Sequence, residues 1–500
     1  MVSLEEILVR FAALEARLVA MEARAVDAEA RAAAAEVRAA AAEARVVELE
    51  AENAVLHDRV RELEARLKQN SSNSSKPPSS DVFRRGKLTP KKTGGKAGGQ
   101  KGHKGATRVA VPPERVTERK DIRPGECGNC HRDLTGAETY GRPDVRQVVD
   151  LPKVDPVVTE FVAHSLVCPG CRHVTAAKLP PEAAYGTGPR LTAWVAALVG
   201  RYRVSRQDTA DLLSAMLNVP ICKGTVQACC ERVSAALAEP IAELDQALKD
   251  QPRVWLDETG WRERGARRWL WIARTDRFAC YAIHPRRGTA QLEAWFPGGY
   301  CGIVHSDRWS AYSYFDTLRR QLCWAHLLRD LQAIIDAGAK GVQAAGDALR
   351  GAHGLFHTWH LFRRDEIDRD ALVAATRPFV DAFRSFCTRG AAQDKDRRWA
   401  ALGRNLLRDW TAVFRFLDTE GVEPTNNDAE QGVRGGVLWR RITQGTRSPA
   451  GSAFVARMLS AHATCRIQDR DLAGFLHDAF VAHLRGNVAP SLLGQPLQPG

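Results

Sequence analysis

The chain has 500 residues, enough for several folded domains and too many for a single hydrophobic core. Hydrophobic residues make up 44% and charged residues 26%, which excludes a largely disordered chain. The 72 Lys and Arg outnumber the 59 Asp and Glu, and the net charge of +13 favours a polyanionic partner, most often nucleic acid. No apolar run reaches the length of a membrane span, no secretion signal is evident, and 12 cysteines are too few for a disulfide scaffold. We therefore expect a cytoplasmic protein with reduced thiols and no membrane partner.

Residues 1–69 follow a heptad pattern in one phase. From Leu4 to Leu67 the a and d positions are apolar, with a run of alanines in the middle and Asn53 as the polar exception. Seven arginines at g precede seven glutamates at e by five residues, a spacing that pairs between chains only when the helices are parallel. A lone charged helix is the alternative, but the leucines at both ends argue against it. The sequence thus predicts a parallel coiled coil, most simply a homodimer joined through residues 4–67.

Residues 70–125 are predicted to be a flexible basic linker. Pro77 and Pro78 stop the helix within a run of Ser and Asn. Between Arg84 and Arg108 there are nine Lys or Arg, seven Gly and no acid, a composition suited to phosphate contacts without base reading. A solvated linker whose charge only keeps it soluble is the alternative. The candidate nucleic-acid contacts are Arg84, Arg85, Lys91, Lys92, Lys96, Lys101 and Lys104.

Two cysteine pairs of the form C-x2-C follow within residues 126–182. Cys127 with Cys130 and Cys168 with Cys171 could supply four thiolates to one tetrahedral Zn²⁺, the pattern of a structural zinc ribbon. The apolar segment 157–167 is predicted to be a strand that leads into the second pair. A pair of redox disulfides is the rival interpretation, without a βαβ context to support it.

Residues 183–250 are predicted to be helical. A helix should begin after the cap Ser205 and end near Leu217, and a second should begin near Lys223. Two helices with a short turn are compatible with a helix-turn-helix that contacts DNA, although any pair of core helices has the same pattern.

From about residue 253 the pattern changes to short apolar runs typical of strands. The first run ends at Asp257, two more follow at 269–272 and 280–283, and a fourth ends at Asp307. Two carboxylates at the ends of neighbouring strands repel each other unless a cation lies between them, and oxygen ligands favour Mg²⁺ or Mn²⁺. The sequence therefore predicts a divalent-metal site for phosphoryl transfer.

Glu430 is the best candidate for a third acid. It should lie in the first turn of a helix that starts near Asn427, where a capping box with Asn427 is its alternative role. Three arginines on the same predicted helix are placed to meet phosphates: Arg434, Arg440 and Arg441.

The motifs of the chain occur in a distinctive order. After the heptads come NSSKPPSSD at 73–81, the two cysteine pairs, Asp257-Glu258-Thr259, the segment His305–Tyr312, the segment Cys323–Asp330, and Asn426-Asn427-x-Ala429-Glu430. Together these resemble transposases of the insertion-sequence 66 family. The resemblance implies an RNase H-like mixed-sheet catalytic domain over residues 251–460, a helical insertion at about 338–421, and a helical tail over 461–500. It also implies that Asp257, Asp307 and Glu430 form a DDE triad that holds Mg²⁺ or Mn²⁺.

The function implied by this resemblance is DNA transposition. Such a protein binds the terminal inverted repeats of its element, frees a 3′-hydroxyl and joins that end to target DNA. Its partners would be double-stranded DNA and small accessory proteins of the same element, in the nucleoid. A nuclease of the same fold that does not join ends, and a zinc-containing DNA-binding regulator with an inert acidic site, are the alternatives. One departure from the family pattern is Gly432 and Gly435 after Glu430, which could loosen the helix.

Overall fold

The computed structural model describes residues 4–68, 110–338, 341–393 and 397–494. The basic residues from Arg84 to Lys104 that are predicted to contact nucleic acid lie outside the described residues. The described part is a mixed α/β protein with a five-stranded mixed sheet and many helices. Each of its helices is too short or too polar to cross a lipid bilayer.

Contacts divide the chain into two units. The first consists of Met1–Phe83, Leu328–Phe356 and Ala382–Leu402. The second consists of Arg84–Leu327, His357–Asp381 and Gly403–Gly500, and it contains the sheet.

Helix α1 runs without a break from Leu4 to Lys68 in the first unit. Apolar side chains of its heptad stripe are exposed in the single chain, among them Leu14 at 64% and Leu56 at 59%. Ion pairs within the helix are exposed and contribute at most about 0.5 kcal/mol each. Most helical stability in proteins comes from packing an apolar face, so this stripe lacks the contacts that would stabilise it within one chain.

Little regular structure is found in the described residues between 110 and 188. Strands β1 (Ser165–Val167) and β2 (Val174–Ala176) form an antiparallel hairpin around the second cysteine pair. The strand predicted over 157–167 is thus correct only in its last three residues. The side chains of Val157 and Val158 are 97% and 84% exposed, so they bury too little apolar surface to stabilise a longer strand.

A group of helices precedes the large sheet. Their bounds are α2 (Pro189–Gly200), α3 (Arg206–Leu217), α4 (Lys223–Ala236) and α5 (Ala238–Ala247). The cap predicted at Ser205 is present, because its side chain accepts the N–H of Asp208 at 3.0 Å. Helix α4 buries Val226, Cys229 and Val233 and packs against α2 and against helices from the end of the chain.

The five-stranded sheet has the order β5-β4-β3-β6-β7. Its strands are β3 (Arg253–Glu263), β4 (Ala266–Arg274), β5 (Ala279–His284), β6 (Ile303–Ser306) and β7 (Arg320–Leu322). Strands β3, β4 and β5 are an antiparallel meander, whereas β6 is parallel to β3 and β7 is parallel to β6. Strand β3, which carries Asp257, is therefore central, with a neighbour on each side.

The remaining helices follow or interrupt the sheet. They are α6 (Ala290–Trp295), α7 (Trp324–Asp336), α8 (Val342–Arg363), α9 (Arg369–Ala391), α10 (Arg397–Arg408), α11 (Trp410–Asp418), α12 (Asn427–Thr443), α13 (Pro449–Ile467) and α14 (Leu472–Arg485). Helix α13 packs against β5, and α12 packs against β3 and β4.

The glycines of α12 allow it to lie close to the sheet. A Cβ atom on Gly432 would lie 2.3 Å from Ile272 Cδ1, and one on Gly436 would lie 2.0 Å from Leu270 Cδ2. The hydroxyl of Tyr281 donates to the carbonyl of Gly432 at 2.9 Å. The helix continues without a break to Thr443, so the cost of glycine in a helix is offset by close packing on β4.

Candidate active site

The strand register brings Asp257 and Asp307 to the same level of the sheet. Trp255 of β3 is paired with His305 of β6, and the two strands are parallel. Asp257 and Asp307 each lie two residues beyond this pair. Both are therefore at the same level along the strand direction and on the same face of the sheet. Asp307 directly follows the last residue of β6, and its Oδ1 accepts the N–H of Trp309 at 2.7 Å.

The start of α12 is fastened to β3 by Asn426. This residue is 1% exposed, and its Nδ2 donates to the carbonyl of Leu256 at 2.7 Å, one residue before Asp257. Its backbone N–H donates to Cys323 Sγ at 3.2 Å. Asn426, and not Asn427, is the N-cap of the helix, so Asn427 does not hold the position that a capping box with Glu430 requires. Glu430 thus lies in the first turn of a helix anchored beside Asp257.

Burial and the charges of other acids affect the ionisation of Asp257. Burial raises the pKa of the Asp257 carboxyl well above its ordinary range, and the negative charge of Glu258 raises it further. The charges of Asp307 and Glu430 act in the same direction, whereas the N–H of Glu258, which donates to Asp257 Oδ1 at 2.9 Å, opposes them. A divalent cation would remove this repulsion, and the three side chains offer only oxygen ligands, as Mg²⁺ and Mn²⁺ prefer.

A second set of atoms converges on Glu430 from the segment that begins α7. Glu430 Oε1 lies 3.5 Å from Nδ1 of His326 and 3.7 Å from Sγ of Cys323, which donates to it. Among the described residues, Glu430, His326 and Cys323 are the set of potential metal ligands whose ligand atoms all lie within 4.8 Å of one another. The acids Asp257, Asp307 and Glu430 do not form such a set. Burial raises the pKa of the Cys323 thiol to about 12, which keeps it protonated and able to donate.

Glu258 occupies the opposite face of β3. It is paired in register with Trp271, which packs edge-on against Tyr312 at 6.2 Å between ring centroids. The hydroxyl of Tyr312 donates to Glu258 Oε2, and Arg287 Nε donates to Oε1 at 2.6 Å. Burial raises the pKa of Glu258, although Tyr312 and Arg287 act against this rise. Neighbouring residues on a strand point to opposite faces, and these contacts give Glu258 a structural role.

Arg287, the ion-pair partner of Glu258, also contacts Trp309 in the loop that carries Asp307. The Arg287 guanidinium carbon lies 3.9 Å from the ring centroid of Trp309 and 4.9 Å from that of Trp269. Trp309 Nε1 donates to the Arg287 carbonyl at 3.2 Å. Through Trp309, whose N–H binds Asp307, this buried ion pair supports the position of the second acid. Arg287 lies in a turn with no motif around it, so this role could not be predicted from local sequence.

His305, which precedes Asp307 by two residues, is part of the core. It is completely buried and stacked on Trp255 with 4.8 Å between ring centroids. Burial and the nearby charge of Arg253 lower its pKa to about 3, so the ring is neutral.

The arginines predicted on α12 differ in their surroundings. Arg434 and Arg441 are exposed. Arg440 instead donates to the carbonyl of Gly260 and, at 3.4 Å, to the hydroxyl of Thr259, so it holds α12 against β3.

The two cysteine pairs have matching backbone geometry. In each, the N–H of the first cysteine donates to the carbonyl five residues on, and its carbonyl accepts the N–H four residues on. The residue after each second cysteine has a positive φ, 55° at His131 and 61° at Arg172. Nearby N–H groups lower the pKa of Cys127 and of Cys168, as suits thiolate ligands. Within the described residues, however, no three of the four sulfur atoms lie within 4.8 Å of one another.

Comparison with known protein families gives two matches. Residues 186–453, more than half of the chain, match the model described as Transposase IS66 family. Residues 20–109 match the model of a family of unknown function, DUF6444. No curated protein matches the chain.

Proposed function

The chain belongs to the IS66 family of transposases, and from this premise we propose that it binds the terminal inverted repeats of its insertion sequence and catalyses metal-dependent strand cleavage and strand transfer. The family makes the protein a DNA-processing enzyme. The observation that carries the finer proposal is the register of β3 and β6, which aligns Asp257 with Asp307 beneath the first turn of α12.

The sheet supports an RNase H-like catalytic domain. A three-stranded antiparallel meander is followed by two parallel strands beside its first strand, and the third acid comes from a helix packed on that strand. Helices α8 to α11 lie in the chain between β7 and α12, where the family resemblance implies a helical insertion.

Asp257, Asp307 and Glu430 are proposed to hold the divalent metal. When bound, the metal supplies activation of the attacking oxygen and stabilisation of the leaving oxygen in an in-line displacement. The residues of the chain supply alignment: Asn426 fixes the start of α12 on β3, and Trp309 fixes one oxygen of Asp307. Cys323 and His326 fix one oxygen of Glu430 in the same way.

The proposal is tested by a paired cleavage and joining assay on duplexes that carry the element's own ends. With Mg²⁺ or Mn²⁺, the purified protein should nick at the element boundary and join the freed 3′-hydroxyl to a second duplex. Cleavage without joining would support a nuclease instead. Binding of the ends without cleavage, even after the element's accessory proteins are added, would support a regulator with an inert acidic site.

A structural zinc ion is proposed at Cys127, Cys130, Cys168 and Cys171. The matching turns support it, since each presents two thiols in the same local geometry. Metal analysis of the purified protein should give one zinc ion per chain, and the double variant Cys168→Ser, Cys171→Ser should lose it. Cys301→Ser, which removes an exposed cysteine outside the pairs, serves as the control. Zinc that persists in the double variant would contradict the assignment.

We also propose that α1 forms a parallel coiled coil that joins two chains. The exposed heptad stripe supports this, because burial of each leucine contributes about 1.5–3 kcal/mol. Replacing Leu49 and Leu56 by Asp should convert the dimer to a monomer in sedimentation velocity. Val47→Asp with Val55→Asp places the same charges outside the stripe and should leave the dimer intact. A wild-type monomer, or equal effects of both pairs, would exclude the coiled-coil dimer.

A further inference from the structure

A cleft separate from the acids lies where the end of α2 meets α13 and the start of α14. It holds about 220 Å³, and its lining includes Trp194, Arg201, His462, Arg466 and Arg470. The helices approach closely here because Gly200 has no side chain: a Cβ atom would lie 2.7 Å from Met458 Cε on α13.

Most of the charge around the cleft is positive and unpaired. Within the described part of the chain, Arg201, Arg203 and Arg466 form no ion pair. Arg470 donates only to neutral oxygens, at 3.2 Å to Gln468 Oε1 and at 3.1 Å to the carbonyl of Ser491.

Nearby negative groups within the protein balance only part of this positive charge. Helices α2 and α13 end near the cleft, and each helix C-terminus carries roughly half a negative charge. The one acid in the lining, Asp471, caps α14 by accepting the N–H groups of Ala473 and Gly474 at 3.0 and 2.9 Å. Four guanidinium groups therefore exceed the negative charge that the surrounding residues provide.

The positive electrostatic potential of the cleft affects the ionisation of His462, which lines it. Burial and the charges of Arg201, Arg466 and Arg203 together lower its pKa to about 4, with burial the larger cause. Burial also lowers the pKa of Arg201, with further lowering from Arg203 and Arg466. An anion in the cleft would offset the effect of the arginine charges on the pKa of His462.

We propose that this cleft binds the phosphodiester backbone of DNA. The inference rests on the proposed function, which makes DNA the substrate, and adds a contact surface outside the acidic site. Arginine suits phosphate because its planar guanidinium donates two parallel hydrogen bonds. Trp194 and Tyr202 are 41% and 54% exposed and offer flat apolar surfaces beside the arginines, suited to the sugars that join successive phosphates. Contacts to phosphate carry no sequence information, so binding through this cleft should not depend on sequence.

The test measures duplex binding as a function of salt, without added divalent metal. Each lost phosphate contact lowers the slope of log affinity against log salt concentration by about 0.9. The full-length double variant Arg201→Gln, Arg466→Gln should therefore lower the slope by about 2 on a random-sequence duplex and on an end-sequence duplex alike. Arg201→Lys with Arg466→Lys keeps the charge and should retain the slope. Lys249→Gln removes one charge from an exposed position outside the cleft and should leave the slope unchanged.

A second readout follows His462 directly. Histidine-selective NMR of the wild type should show its pKa rising when the random duplex is added. A rise with inorganic phosphate but not with duplex would mean a small-anion site and would overturn the proposal, as would an unchanged slope in the glutamine variant. Because binding is measured without cleavage, a protein that binds through this cleft but does not cut would contradict the proposed chemistry and leave this inference standing.

Discussion

Replacing Asp307 by Asn should lower the rate of strand cleavage by about 10³-fold or more while DNA affinity stays unchanged. Asparagine has nearly the same shape and keeps an oxygen that can accept the N–H of Trp309, so the loop after β6 should hold its position. What is lost is one negative charge from the acids that surround Asp257. Asp257→Asn and Glu430→Gln should have effects of the same order, because the three act as one unit.

The measurement is the single-turnover cleavage rate on end-sequence duplexes, with binding followed separately by fluorescence anisotropy. Asp250→Asn, an exposed acid that precedes β3, is the matched control and should retain the wild-type rate. Cleavage that survives all three substitutions would show that the acids are not the catalytic site. Loss of binding in step with cleavage would point to unfolding and not to chemistry.

The largest stability effect is expected at Arg287. The side chain of Glu258 is 1% exposed, and Arg287 is its cationic partner. Replacing Arg287 by Met removes the positive charge and keeps most of the apolar stem between Trp269 and Trp309. Because a buried carboxylate would lose its counter-charge, we expect a loss of about 3–5 kcal/mol in the free energy of unfolding.

A second substitution separates charge from packing. Adding Glu258→Gln to Arg287→Met removes the uncompensated carboxylate and leaves an amide that the Tyr312 hydroxyl can still bind. The double variant should recover most of the lost stability in urea denaturation followed by tryptophan fluorescence. Arg262 is an exposed arginine on β3, the strand that carries Glu258. Its replacement by Met should change the free energy of unfolding by less than about 0.5 kcal/mol. A double variant as unstable as Arg287→Met would mean that packing, and not charge, is the cause.

The family and the positions of four strands along the chain could be predicted from local sequence. The family resemblance is confirmed by the match over residues 186–453. Apolar runs that end at Asp257 and Asp307 predict strands that carry acids, because strand patterns are set by neighbouring residues. The cap at Ser205 was predictable for the same reason. Strand β3 continues to Glu263, however, so Asp257 lies within its strand and not at the end that the sequence predicts.

Contacts between distant segments were beyond such reasoning. Arg287 meets Glu258 from a turn 29 residues away, and Asn426 reaches Leu256 across 170 residues. The glycines after Glu430 seemed from the sequence to weaken a helix. Gly432 is needed because it lies against Ile272 of β4, and Gly435 lies against Leu459 of α13, contacts that the helix sequence does not reveal.

The position of Glu430 in the chain also determines when, during synthesis, the three acids can come together. Asp257 lies on β3 and Glu430 on α12, and 173 residues separate them. At about 5–20 residues per second, a ribosome needs roughly 10–35 s to make that stretch. A nascent chain therefore carries two aligned acids for many seconds before the third is synthesised. A copy of the gene cut short between β7 and α12 would encode a protein that keeps α1, Asp257 and Asp307 but lacks the third acid, together with Arg466 and Arg470 of the proposed DNA cleft. Such a fragment would compete with intact copies for the coiled-coil partner proposed for α1, and would restrain the spread of the element that produced it.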